Sequence, residues 1–360
     1  MQALITTPTK TASLSSSHPL PKISASLNPD RLLVRTVAVA LNPTDWKSIA
    51  SGFAPPSSVV GCDYAGIVEE VGPGVKKPFK KGDRVAGFVH GCSPLNPTEG
   101  AFAEYIIVIG DLQIVIPDSL SFEEAATLGV GITTVGQALY QSLGLELPAA
   151  DAAAISASSA SSSEPTDGDK TVLVYGGSTA TGTLAIQFAK LSGYHVLTTC
   201  SAKNFDLVRG YGADAVFDYG DANAPAEIRK YTSDSLRYVF DTISTDSSVK
   251  FCDEAIGSAG GKLSTLLRVQ SARSDVVSRH TLGYTATGEE KVFGEWRLPA
   301  SKEDREFAEM FWEVARGLFA RGLLRAHPVQ LREGGLGGVL GGLEDMREGR
   351  VSGVKLVYKV

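Results

Sequence analysis

Cysteine is scarce in this chain: four residues in 360, at Cys62, Cys92, Cys200 and Cys252, with no C-x-x-C pair among them. That spacing excludes a disulfide framework and a structural zinc motif alike. An excess of basic charge is also missing. The formal net charge is −6 and no dense Lys/Arg cluster appears, so a phosphate backbone meets no broad attraction and no nucleic-acid partner is expected. No run approaches the ~18 apolar residues needed to cross a bilayer, so no membrane partner is expected either. The opening MQALITTPTKTASLSSSHPL lacks a basic region followed by an apolar core, which predicts no secretory signal and a cytoplasmic, reducing location. Internal repeats are absent as well.

What is present reads as a globular chain of about two domains, with 43% hydrophobic and 21% charged residues. Within 31–110, RLLVRTVAVAL, AGIVEEVG, GDRVAGFV and AFAEYIIVI are short β-branched runs parted by Gly/Pro turns, the pattern of a small barrel. At SFEEAATLGVGITTVGQALYQSL (121–143) the period becomes helical, with Ser121 and Glu124 spaced as a capping box. The Ala/Ser-rich LPAADAAAISASSASSSEPTDGD (147–169) buries too little apolar surface to order itself and predicts a surface loop. Strands then alternate with helices of about ten residues, predicting βαβ units on a parallel sheet. One strongly amphipathic helix, EFAEMFWEVARGLFARG, and a last strand in VSGVKLVYKV complete the chain. The expected division is 1–143, a loop at 144–169, a cofactor domain at 170–300, and a return to the first domain at 301–360.

The first βα turn is GGSTATG (176–182), after the apolar run TVLVY. A strand, a tight small-residue turn and a helix N-terminus present free N–H groups to a pyrophosphate. A strict G-x-G-x-x-G is missing, and such a turn also occurs without a ligand. An acid about 20 residues further on binds a ribose 2′-hydroxyl and marks NAD. Here TTCSAKNFD supplies Ser201, Lys203 and Asn204 instead, with no acid before Asp206. A hydroxyl, an ammonium and an amide suit a 2′-phosphate, which points to NADPH; a plainly solvated Lys203 is the alternative. Tyr219 is placed to close over the same adenosine or simply to pack.

VALNPTDWK (39–47), GCDYAGIVEEVG (61–72), GDRVAGF (82–88), GAFAEYIIV (100–108) and IPDSLSFEEAATLGVGITT (116–134) occur in this order. In that order they resemble the medium-chain dehydrogenase/reductase family over almost the whole chain. The resemblance implies an α/β fold: a GroES-like β-barrel catalytic domain plus a Rossmann doubly wound parallel-sheet cofactor domain. Where zinc alcohol dehydrogenases of this family place Cys, His and Cys, the chain has Asn42, Cys62 and Val130, and Asp63 follows Cys62. An amide and an aliphatic side chain supply no thiolate, so no metal site is expected. Hydride transfer without a Lewis acid suits a conjugated acceptor, whose charge moves onto the carbonyl oxygen.

Further segments, among them YGGSTATG, TTCSAKNFDLVRGYGADAVFDY, FCDEAIGSAGG and EGRVSGVKL, are similar to the fungal trans-acting enoyl reductases of highly reducing polyketide synthases. That subgroup implies NADPH-dependent reduction of an α,β-double bond on a chain carried by the synthase's acyl carrier protein, by a monomeric enzyme. By the same resemblance the cofactor contacts fall on Thr44, Asp45, Trp46 and Lys47, on Ser178, Thr179, Ala180 and Thr181, and on Ser201, Ala202, Lys203 and Asn204. Tyr219, Leu266, Leu267, Ser352 and Gly353 complete them. The substrate positions are Val135, Gly136, Gln137, Ala138, Leu139, Tyr140, Gln141 and Ser142, with Leu282, Gly283, Tyr284, Thr285 and Ala286.

Lys47 is the candidate for stabilising the enolate oxygen or orienting the nicotinamide ribose, with Asp45 fixing its ammonium. Thr134 is a candidate for bonding the nicotinamide amide or the substrate carbonyl. His90 and His195 read as structural, and Cys62 as a small core residue. Two other functions stay open at this point: a free-standing quinone or alkenal reductase, and an inactive NADPH-binding interaction protein.

Overall fold

A computed structural model of the chain describes residues 1–148 and 170–360. The chain forms two compact units, Met1–Thr133 with Tyr284–Val360, and Thr134–Gly283. These breaks lie at 133/134 and 283/284, whereas the sequence pattern placed them at 143 and 300. Most of the expected loop at 144–169 lies outside the described residues.

The chain opens with a hairpin, β1 (Ala3–Thr6) and β2 (Ala12–Ser15), ahead of β3 (Arg31–Ala40). Helix α1 (Pro43–Ser51) follows, then β4 (Asp63–Val71), β5 (Arg84–Phe88), β6 (Tyr105–Ile109) and β7 (Gln113–Val115). Proline opens α1 at its first position, and Gly52 closes it in the left-handed region, its N–H bonded to the Ile49 carbonyl. The expected helical stretch at 121–143 is not one helix. Its capping box forms as read, Ser121 Oγ taking the Glu124 N–H at 3.1 Å and Glu124 Oε2 the Ser121 N–H at 2.9 Å. However, α2 (Phe122–Ala125) then stops, and α3 (Gly129–Val135) runs on as a π-helical segment, Gly136–Ser142. Periodicity cannot signal the break, because the residues on both sides of it are buried.

The second unit alternates β8 (Thr171–Tyr175), α4 (Ala180–Leu191), β9 (His195–Cys200), α5 (Phe205–Gly210), β10 (Ala215–Asp218), α6 (Ala224–Tyr231), β11 (Tyr238–Asp241), α7 (Asp246–Ala255), β12 (Gly261–Thr265) and β13 (Val276–His280). All six strands are parallel in the order β10-β9-β8-β11-β12-β13. The order reverses between β8 and β11, which opens a crevice at the carboxyl ends of those two strands.

The return to the first unit brings the hairpin β14 (Lys291–Phe293) and β15 (Trp296–Leu298), α8 (Lys302–Ala320), β16 (Val329–Arg332), α9 (Gly335–Arg347) and β17 (Lys355–Lys359). Helix α8 buries Ala308, Phe311, Trp312, Ala315 and Phe319, the stripe its pattern predicts. Helix α9 runs against expectation, since GGLGGVLGGLEDMR is poor helical sequence. Packing explains it: a Cβ on Gly342 would stand 2.4 Å from the Tyr358 hydroxyl and 2.8 Å from the Leu41 side chain. Glycine lets the helix lie flat on strand β17. In the barrel sheet β3 is central, pairing β6 along Arg31–Arg35, β17 along Ala38–Ala40, and β4 along both stretches.

Candidate active site

In the second unit the sequence-predicted cofactor residues gather at the carboxyl ends of the strands. Ser178–Thr181 follow β8, Ser201–Asn204 follow β9, Tyr219 follows β10, and Leu266 and Leu267 follow β12. Register explains the gathering, because Tyr175 stands level with Thr199 and Asp241, Cys200 with Asp218, and Asp241 with Thr265.

The turn after β8 is shaped by glycine. Gly176 has φ +81°, and a Cβ there would stand 2.5 Å from Thr242 Oγ1. A Cβ on Gly177 would overlap Thr198 Oγ1, and one on Gly182 would stand 2.4 Å from the Gly176 carbonyl oxygen and 2.7 Å from the Gly177 Cα. Thr179 is the N-cap of α4: its Oγ1 accepts the Gly182 N–H at 2.9 Å and lies 3.2 Å from Thr242 Oγ1. Thr242 Oγ1 in turn donates to the Tyr175 carbonyl at 2.8 Å. The Thr179 hydroxyl is therefore committed to the cap and to Thr242. Among the described residues the Ser178 hydroxyl is uncommitted, and the N–H groups of Ala180 and Thr181 in the first turn have no intrahelical acceptor. A small-residue turn with free N–H groups at a helix start fits the pyrophosphate of a dinucleotide.

Beyond β9 the chain carries no acid before Asp206. Ser201 Oγ accepts from Asn204 Nδ2 at 3.2 Å, Lys203 is exposed, and Asp206 points to solvent with Arg209 at 3.6 Å. Tyr219 is half exposed, its ring 6.4 Å from that of Tyr175. Sequence reading missed the segment after β11. There the Asp241 carboxylate accepts the Ile243 and Ser244 N–H groups at 2.9 Å each, and Ser248 Oγ at 2.5 Å. Ser244 Oγ accepts the Leu266 N–H at 2.7 Å, so Asp241 shapes two of the loops at the crevice. The signal was the run FDTIS, an acid and two hydroxyls directly after an apolar strand.

Of the expected substrate positions, Val135, Ala138 and Leu139 are wholly buried, and Tyr140 OH bonds Ser192 Oγ at 2.9 Å. Packing claims these side chains. Gln141 and Ser142 retain exposure. Leu282 and Gly283 end one unit, and Tyr284, Thr285 and Ala286 open the other as a short 3₁₀ turn. Thr134 lies buried on α3 beside Thr133, whose Oγ1 bonds the Gly129 carbonyl at 3.0 Å and accepts from Trp312 Nε1 at 3.2 Å. Ser352 is exposed, and Gly353 has φ +70° at the entry to β17.

In the first unit Thr44, Asp45, Trp46 and Lys47 share the first turns of α1. Lys47 is exposed on the helix with its Nζ 5.7 Å from the Trp46 ring centroid, and partial desolvation holds its pKa below the ordinary lysine value. Asp45 does not fix this ammonium. The two residues are two apart on a helix and face different ways, and Asp45 Oδ2 accepts the Asn42 N–H at 2.7 Å. Burial pushes the Asp45 pKa up to about 7; the Asn42 bond opposes the rise, and the Asp63 charge adds to it. Thr44 Oγ1 lies 2.6 Å from Tyr284 OH, which is 3.7 Å from Cys62 Sγ and carries the His90 ring at 4.0 Å between centroids. Burial, with Asp45 beside it, holds the Cys62 thiol well above its usual range, and burial holds His90 well below its own. His195 pairs with Tyr231 OH at 3.1 Å and is structural.

One group in this unit was invisible in the sequence reading. Lys355, buried in β17, donates to Asn42 Oδ1 at 2.9 Å, Asp63 Oδ2 at 2.5 Å and the Thr127 carbonyl at 3.1 Å. Breaking a buried pair by removing one partner strands a charge and costs about 3–5 kcal/mol. Asn42 thus spends its acceptor on an ammonium, Asp63 is ion-paired, the Cys62 thiol is held protonated, and Val130 offers no donor. This set does not fit zinc. Among the described residues no group of three or more His, Cys, Asp and Glu side chains is placed to hold a metal. No helix among them is long and apolar enough to cross a membrane.

Comparison with known proteins agrees with the fold. The profile of the alcohol dehydrogenase GroES-like domain matches residues 28–118, and that of the zinc-binding dehydrogenase matches residues 180–266. Trans-enoyl reductase ACTTS2 of Alternaria alternata is 49% identical over 343 residues, covering 95% of this chain and 94% of that protein. Trans-enoyl reductase resD of Aspergillus sclerotiorum is 47% identical over 365 residues, covering 100% of both. Among solved structures, an alcohol dehydrogenase superfamily protein from Novosphingobium aromaticivorans superposes with TM-score 0.78 at 22% identity, covering 100% of this chain and 99% of that one. CurK enoyl reductase gives TM-score 0.72 at 15% identity, covering 99% of each. At those identities the structural likeness is one of fold.

Proposed function

The chain belongs to the trans-enoyl reductase family of the medium-chain dehydrogenase/reductases, and from that premise we propose that it is an NADPH-dependent enoyl reductase acting in trans on a polyketide synthase. Its substrate is an α,β-unsaturated acyl chain held as a thioester on the synthase's acyl carrier protein, and the enzyme works as a monomer. The observation that carries the cofactor choice is the end of β9, where Ser201, Lys203 and Asn204 stand without an acid before the solvated Asp206. A carboxylate there would repel a 2′-phosphate, whereas an ammonium and a hydroxyl bind it.

Ser178 and the first-turn N–H groups of Ala180 and Thr181 hold the pyrophosphate, and Tyr219 covers the adenosine. Bound in this way, the reduced nicotinamide supplies a hydride to the β-carbon of the enoyl thioester. Negative charge then moves to the thioester oxygen. Lys47, partly desolvated and therefore a stronger field at short range, stabilises that oxygen. Thr134 donates to the nicotinamide amide or to the same carbonyl. The α-carbon takes its proton from water.

The test is NADPH oxidation with crotonyl-pantetheine and with a carrier-bound enoyl chain, beside a simple quinone. Turnover of the thioesters supports the proposal. Turnover of quinone alone makes the protein a free-standing reductase, and tight NADPH binding without turnover of any acceptor makes it a binding protein.

A further inference from the structure

Strand register decides where Lys355 stands. Strand β17 pairs antiparallel with β3, Val357 level with Ala40, and the Leu41 N–H bonds the Leu356 carbonyl at 3.0 Å. One step further along this register Lys355 comes level with Asn42. On the other side of β3, Ala40 is level with Asp63. Three adjacent strands therefore deliver an ammonium, an amide and a carboxylate to one buried point.

An ammonium has three protons, and all three are used here. Each acceptor belongs to a segment that leads to a candidate catalytic group. Asn42 is the N-cap of α1; its side chain takes the lysine and its own N–H goes to Asp45. Asp63 accepts with both oxygens, Lys355 on Oδ2 and the Val130 N–H on Oδ1 at 2.6 Å, at the start of α3. The Thr127 carbonyl lies just before that helix. Lys355 thus joins Asn42 directly and Val130 through Asp63, two of the three positions that carry ligands in the zinc enzymes.

We propose that Lys355 is a positioning residue, an internal cation that pins the start of α1 and the start of α3 to one point and so sets where Lys47 and Thr134 stand. This rests on the reading of those two residues as groups at the reacting centre. A buried ammonium suits the task because its bonds are short, charge-assisted and costly to break. Asp63, Asp45 and the neutral His327 are the titratable groups that face it.

Two variants test this. Lys355→Met removes the charge at similar length. Lys355→Met with Asp63→Asn removes both charges and strands no carboxylate. Each is measured for kcat, for KM toward crotonyl-pantetheine and NADPH, for thermal midpoint and for hydrogen exchange by segment. The expected result is a kcat at least tenfold lower in both variants, with the KM for NADPH within twofold of the parent. Exchange should quicken in Pro43–Ser51 and Gly129–Val135 and stay unchanged in the six-stranded sheet, while the double variant regains thermal stability without regaining rate. Parental kcat in either folded variant overturns the proposal, as does a slow variant with unchanged exchange in both segments. Failure of both to fold also overturns it and leaves Lys355 a stabilising residue only. If Lys355→Met slows turnover and Lys47→Ala does not, the role given to Lys47 falls and the clamp stands; the opposite pair of results removes the clamp alone.

Discussion

At the strand ends of the six-stranded unit, the proposed cofactor site is shaped by glycines, hydroxyls and backbone N–H groups. Around α1 of the barrel unit, the local structure is shaped by buried ionisable side chains: two carboxylates, an ammonium, a thiol and a phenol. Backbone geometry is cheap to hold and tolerant of pH, which suits a cofactor bound the same way at every turnover. Charged groups out of water are costly to hold, and each depends on its neighbours. Substitutions in the barrel unit should therefore act through charge, and those in the six-stranded unit through shape.

The largest expected effect tests the charged side. Lys47→Ala should lower kcat about 100- to 1,000-fold, the usual loss on deleting a donor to a developing oxyanion, and change the NADPH dissociation constant much less. An unchanged rate with crotonyl-pantetheine removes its role. Gly182→Ala tests the shape side. Its Cβ meets fixed backbone at 2.4 and 2.7 Å, and overpacking of this kind costs about 1–3 kcal/mol. NADPH affinity should fall about 10- to 100-fold by fluorescence titration, and unaltered binding would show that the turn opens freely.

The third prediction concerns pH. With its pKa raised to about 7 by burial, Asp45 keeps a proton in the folded chain that the unfolded chain releases above about pH 4. Its contribution to stability therefore declines as pH rises from about 4 to about 7. Asp45→Asn should flatten that decline by roughly 4 kcal/mol, the equivalent of about three pKa units, in chemical denaturation across the range. A slope equal to that of the parent would mean that Asp45 folds ionised. The smallest effect is expected at the exposed Lys203. Lys203→Ala should weaken NADPH about fivefold to tenfold, roughly 1 kcal/mol, and leave NADH untouched. Equal loss for both refutes the 2′-phosphate contact.

Much of this architecture was readable along the chain because its signals are local. Alternating strands and helices with turn residues between them announced the parallel sheet, and GGSTATG and SAKN lie directly after strands, where the chain itself delivers them to one edge. The capping box at Ser121 and Glu124 was equally local and formed as read. The helix over Gly335–Arg347 was illegible for the opposite reason: its glycines disfavour helix until Tyr358 and Leu41 require the close approach. Thr179 shows a subtler limit. A hydroxyl in a phosphate-binding turn reads as a ligand donor, yet the folded turn commits it to the Gly182 N–H and to Thr242.

Lys355 marks the boundary most sharply. Resemblance to the zinc alcohol dehydrogenases is enough to place the zinc-ligand positions at Asn42, Cys62 and Val130, and the residues there make no ligand set. Nothing in VSGVKLVYKV says that its first lysine ends beside Asn42 and Asp63. That follows from which strands neighbour β3 and in what register, and register is settled by the burial of whole sheet faces and by backbone pairing between segments far apart in sequence.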